Sequence, residues 1–224
     1  MTIDAYQDVL GRIGRAAREV GRDPTEITLV AVSKGAGVPE IERLYDAGHR
    51  DFGENRAQEM LTKANRLPPD IRWHFVGPLQ TNKVRGIRPL THLLHSMDRL
   101  RLAETWLKGR GPAPPVLIQV NIGDEPQKSG FSVGEVPDAV SQTTNLGLEV
   151  EGLMAIPPRV SAPDDAAPFF ARMRAIRDEI SQEFPGVQAL SMGMTEDFEV
   201  AITEGATAIR VGRAIFRGTS AIDG

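Results

Sequence analysis

Cysteine is missing altogether, which removes disulfide bridges, thiol nucleophiles and cysteine-ligated zinc from the chemistry open to this chain. No block of lysine or arginine stands out and the net charge is −4, so the clustered basic face of a nucleic-acid binder is absent. No apolar run is long enough to cross a bilayer. The first 23 residues lack the apolar core of a secretory signal. These absences lead us to expect a cytoplasmic protein with neither a membrane nor a nucleic-acid partner.

What is present is ordinary for a globular fold: 224 residues, 41% hydrophobic and 25% charged. One domain over residues 1–224 is expected, because the proline-rich stretches "GRGPAPP" and "PPRVSAPDD" are too short for interdomain linkers. Ile3, Tyr6, Val9, Leu10, Ile13, Ala17 and Val20 recur at helical spacing, and Gly21 stands where a helix-capping glycine belongs. Eight strand-like runs follow: "ITLVAVS", "HRDFGEN", "RWHFVG", "HLLHSMD", "PVLIQVN", "EVEGLMAI", "VQALSMGM" and "TAIRVGRAIF". Helical patterns separate them, near 38–47, 54–66, 80–88, 98–108, 133–145, 165–183 and 195–204. Alternating strands and helices predict parallel pairing, and eight strands close a (β/α)8 TIM barrel, here with an extra N-terminal helix. The rival open doubly wound sheet would need a G-x-G-x-x-G turn after its first strand, and "SKGAGVPE" has none.

In such barrels the active site lies at the C-terminal mouth. The first strand ends at Ser33-Lys34. If Lys34 points inward, Val32 and Val30 do too and floor a dry pocket, where a desolvated amine becomes a Schiff-base former. The same lysine is equally a rim residue reaching for water. Ser191, Gly193, Gly212 and Arg213 fall at the tips of strands seven and eight, where barrels bind phosphate. Arg210 lies within the apolar eighth strand, and an inward cation there needs a partner. Glu54 or Glu151 could supply it, and so could a ring nitrogen on a bound ligand. An amine, a phosphate cradle and a ring-facing cation together describe a site for pyridoxal 5′-phosphate (PLP).

The segments "LVAVSK", "DFGEN", "WHFVGPLQTNK", "HSMD", "LMAIPP", "LSMGMT" and "IRVGRAIF" resemble, in order and over nearly the whole chain, the YggS/PROSC pyridoxal phosphate homeostasis family. The resemblance implies a barrel like the N-terminal domain of alanine racemase, with PLP as a Schiff base on Lys34. It also implies Arg210 near the ring nitrogen, Ser191 and Gly212 near the phosphate, and Asn55 near the ring. Two departures stand out: Arg213 where members carry threonine, and Arg217 where they carry glycine. A guanidinium at 213 would either replace the lost hydroxyl contact with a charge-assisted one or turn away. Lys128, in "KSGF", is a candidate for a second, transient PLP contact.

His92 and His95, three apart on a strand, are expected on opposite faces, so no metal site is assigned. His74, Phe52, Trp73 and Phe75 read as packing residues. Two roles remain for a PLP site. One is a non-catalytic carrier that buffers PLP and delivers it to PLP-dependent apo-enzymes; the other is a PLP-dependent amino-acid racemase. An arginine at the ring nitrogen disfavours its protonation and weakens the electron sink. A racemase also needs a second base. The only tyrosines are Tyr6 and Tyr45, on the first two helices, and few residues follow strand eight, so the carrier is expected. A cofactor-free Schiff-base aldolase would leave Arg210 unexplained.

Overall fold

The amphipathic spacing at the N-terminus becomes helix α1 (Thr2–Glu19), which buries Tyr6, Val9, Ile13, Ala16 and Ala17 along one face. This computed structural model describes residues 2–216; Arg217 lies outside them. The eight apolar runs form strands β1 (Thr28–Val32), β2 (Asp51–Glu54), β3 (Arg72–Phe75), β4 (Thr91–Met97), β5 (Val116–Val120), β6 (Val150–Ala155), β7 (Ala189–Ser191) and β8 (Ala208–Val211). Each pairs in parallel with the next, and β8 pairs back to β1, so the barrel closes without a free edge. Helices α2 (Val38–Asp46), α3 (Ala57–Ala64), α4 (Val84–Ile87), α5 (Leu100–Leu107), α6 (Val136–Asn145), α7 (Ala167–Glu183) and α8 (Phe198–Thr203) lie between successive strands, and α9 (Arg213–Phe216) follows β8.

Alternation along the strands divides the side chains into two layers. Outward residues, among them Leu29, Ala31, Phe52, Trp73, Phe75, Ile118, Leu153 and Ile209, join the buried helix faces in one continuous core. Inward residues Leu93, Leu117 and Met154 form a separate apolar plug inside the barrel. Helix α1 packs on α2, α8 and α9. Arg12 holds Glu199 through two bonds of 2.9 and 2.6 Å while its guanidinium lies 4.5 Å from the Phe198 ring. The extra helix therefore braces the β7–β8 side of the barrel.

The structure corrects three local expectations. Strand eight stops at Val211, and Arg213–Phe216 coil into a helical turn in which the Ile215 and Phe216 amides bond the Gly212 carbonyl. Helix α8 begins at Phe198 rather than near Thr195, because the Asp197 carboxylate first accepts the Met194 amide at 2.7 Å. In β4, Trp73 pairs with Thr91 and His74 with Leu93, leaving His92 as an extra residue at a bulge. Strict alternation fails there. His92 and His95 both reach the His74 ring, at 5.4 and 5.1 Å between centroids. No helix among the described residues is long and apolar enough to cross a membrane.

Candidate functional site at the barrel mouth

Lys34 does not sit on the strand. Strand β1 ends at Val32, and Lys34 opens a turn whose next residue, Gly35, takes φ 73°. The lysine is exposed, and its amine has no hydrogen-bond or ion-pair partner among the described residues. The expected dry pocket is therefore not built by β1 alone. Val30 is fully buried beneath, but once the strand ends, alternation no longer dictates where a four-carbon stem points.

The base of that turn is fixed by Lys63, Glu54 and Ser33. Lys63, on the buried face of α3 with Met60, places its amine 2.7 Å from the Ser33 carbonyl and 2.5 Å from Glu54 Oε1. The Ser33 hydroxyl donates to the same carboxylate oxygen at 2.7 Å. Burial pushes the Glu54 carboxyl up, against the lowering effects of Lys63 and Ser33, and its second oxygen has no partner among the described residues. This pair settles the role of Glu54: it anchors the Lys34 turn and does not neutralise Arg210.

Arg210 is buried inside the barrel on β8, paired in register with Val30. Its guanidinium donates to the Ser191 hydroxyl at 2.5 Å and to the Ala155 carbonyl at 2.9 Å. Neither Glu54 nor Glu151 reaches it. Desolvation pulls its pKa down to about 10, against the through-space effect of Asp197, so the group remains a cation at neutral pH. The Ser191 hydroxyl also meets His95 Nδ1 at 2.8 Å. The Ser191 side chain, expected at a phosphate, is fully buried in the barrel and engaged by Arg210 and His95.

Gly193 and Gly212 lie beyond the ends of β7 and β8. Gly193 has φ 88°, and a Cβ there would come 2.5 Å from that of Ala201. At Gly212 a Cβ would come 2.8 Å from the Val32 carbonyl oxygen. Both positions demand glycine; Gly193 is buried, with its carbonyl accepting the Arg210 amide at 3.0 Å, and Gly212 is half-buried. Arg213 turns away from the interior; it is exposed and pairs with Glu196 at 3.1 Å, bridging the β7 and β8 loops. Asn55, just past β2, carries a buried Oδ1 with no partner among the described residues. Lys34, Asn55, Gly193 and Gly212 thus occupy four contiguous strand ends (β7, β8, β1, β2), with Arg210 one step below.

Across the mouth, at the ends of β3, β5 and β6, a cavity of about 270 Å³ is lined by Val76, Gln119, Asn121, Lys128 and Ile156. Lys128 donates to the Pro157 carbonyl at 3.0 Å and pairs with Glu125. Tyr6 bonds His49, just before β2, and Tyr45 bonds Asp70, just before β3. Both tyrosines therefore sit at the end of the barrel opposite the mouth.

Residues 13–220 match the family described as alanine racemase, N-terminal domain. The pyridoxal phosphate homeostasis protein of Aquifex aeolicus is 40% identical over 214 residues, covering 93% of this chain and 94% of that protein. A protein of the same name from Pseudomonas aeruginosa is 42% identical over 216 residues, covering 93% and 91%. The structure of PipY from Synechococcus elongatus with PLP bound aligns with a TM-score of 0.76 at 33% identity, over 92% of this chain and 99% of that one.

Proposed function

This chain belongs to the alanine racemase N-terminal domain family, and we propose that its barrel binds PLP and serves PLP homeostasis, as the names of its relatives indicate for them. One arrangement carries the reading: an amine without a partner among the described residues, two obligatory glycines and a buried cation that no carboxylate touches, all on one side of one mouth. PLP offers a matching group to each. Its aldehyde would condense with the Lys34 amine to a Schiff base, releasing one water. Its phosphate would lie against the backbone around Gly193 and Gly212 and compete with Glu196 for Arg213. Its ring nitrogen would face Arg210, and a ring substituent would satisfy Asn55 Oδ1. Bound PLP supplies an electrophilic carbonyl and a conjugated ring; the protein supplies position and charge.

Holding the cofactor without turnover is the role this chain supports. Arg210 disfavours a protonated ring nitrogen, and both tyrosines, the candidates for a second base, stand at the wrong end of the barrel. Because Lys34 is exposed, the amine is open to transfer of its cargo to an apo-enzyme. The test is spectroscopic. Purified protein mixed with PLP should develop an absorbance band that borohydride abolishes, with the reduced adduct mapped to Lys34 by peptide mass. Lys34→Ala should lose the adduct completely. An adduct on another lysine, or none in the parent, would overturn the assignment. Racemisation of amino acids at ordinary enzymatic rates would replace the carrier with the racemase.

A further inference from the structure

A line of polar side chains crosses the barrel interior, and one direction of donation satisfies every group along it. Arg210 Nη1 lies 2.5 Å from Ser191 Oγ, Ser191 Oγ 2.8 Å from His95 Nδ1, His95 Nε2 2.9 Å from His74 Nδ1, and His74 Nε2 3.1 Å from Asp51 Oδ1. Ser191, His95, His74 and Arg210 are all buried. A guanidinium can only donate and a carboxylate can only accept. Ser191 must therefore accept from Arg210, which leaves its single proton for His95 Nδ1. His95 then carries its proton on Nε2 and donates to His74, and His74 does the same toward Asp51. Reading from the carboxylate end gives the same tautomers. Asp51 closes the line by taking two bonds from Arg72, from Nε at 2.7 Å and Nη2 at 2.5 Å.

We propose that Asp51, His74, His95 and Ser191 form a one-way hydrogen-bond chain that positions Arg210 with no carboxylate in contact at the ring-nitrogen end of the PLP site. This rests on the PLP reading above. The line ends in a carboxylate on β2, at the far end of the barrel, where Arg72 already answers it, and Asp197 acts on Arg210 only through space. What touches Arg210 is neutral: a hydroxyl and a carbonyl. Adding a proton to either ring would direct His95 and Arg210 both at Ser191 as donors, stranding the hydroxyl proton and placing a second cation in a dry interior. Burial first, with the Arg210 charge acting in the same direction, holds His95 well below its ordinary value, in keeping with a neutral ring.

Two measurements decide it. The chain has four histidines, so nitrogen-15 NMR of the ligand-free protein can assign each tautomer. His74 and His95 should both be neutral with the proton on Nε2 at pH 7. A proton on His95 Nδ1, or a doubly protonated ring, overturns the chain whether or not PLP binds. The second measurement uses PLP itself. His95→Leu should weaken its binding about tenfold and move the pH midpoint of its absorbance band, whereas His95→Gln, which can accept from Ser191 and donate to His74, should restore both. Where His95→Leu fails to fold, Ser191→Ala is read the same way. A folded variant with unchanged affinity and spectrum overturns the positioning role. A parent that never binds PLP overturns the PLP reading, and the positioning role with it, and leaves the tautomer assignment standing.

Discussion

Lys34 and Lys63 both reach the C-terminal end of β1, and they have opposite fates. The Lys63 amine is nearly sealed off, shared between a buried carboxylate and the Ser33 carbonyl. Lys34, one residue beyond Ser33, is exposed and has no partner among the described residues. The pair shows how a protein presents one free amine: the second cation and its counter-ion immobilise the backbone, and the first is left without a competing carboxylate. A lysine answered by Glu54 could not serve as a ready nucleophile; a lysine on an unbraced turn could not be held at the rim.

The contrast can be broken experimentally. Lys63→Met leaves Glu54 buried without its cation and should cost about 3–5 kcal/mol at pH 7 in urea unfolding. The Glu54 carboxyl is already raised in the fold, and without Lys63 it rises further. A raised carboxyl stabilises below its unfolded value and loses that contribution as pH climbs through the folded one, so the penalty should shrink as pH is lowered toward 5. An equal loss at both pH values would show that Glu54 does not need Lys63 for its charge.

A smaller effect is expected at the far end of the barrel. Burial alone would raise the Asp51 carboxyl, yet hydrogen bonds from Arg72 and His74 outweigh it and hold it well below the usual carboxylate range. A depressed carboxyl stabilises above its unfolded value, about 3.9, and loses that contribution as pH falls through the folded one. Asp51→Asn should cost about 1–3 kcal/mol at neutral pH and flatten the acid limb of the stability profile below about pH 4. An unchanged acid limb would remove Asp51 as the anchor of the interior chain. The smallest effect belongs to Lys34→Ala, which should leave stability within about 0.5 kcal/mol of the parent even as it abolishes the PLP adduct. A large loss of stability there would mean that Lys34 makes contacts like those of Lys63, and the contrast would collapse.

Much of the fold was legible. The strand runs and helical patterns fall where the barrel has them, because burying a strand on both faces demands apolar residues in short, regular blocks. The exceptions are local. Nothing in "AIRVGRAIF" marks where the strand ends, since that depends on how closely Gly212 approaches Val32 across the sheet. Strict alternation misplaced His92, because a bulge is a property of the pairing between two strands. At the site, the inward Arg210 and its need for a partner were readable from one strand. Its actual partners were not, because Ser191 is on the neighbouring strand and Ala155 comes from a strand further round. Lys63 was invisible for a similar reason: four residues after Glu59 it reads as half of an exposed helix pair.

The sequence by itself determined eight apolar blocks at helical intervals, a lysine after the first and an arginine within the last, and these specify a barrel with chemistry at one mouth, because periodicity is a local property of the chain. Only the tertiary structure decided which cation would be free and which neutralised. That outcome depends on distances between groups on different strands and helices, and on how much water each retains once the barrel closes.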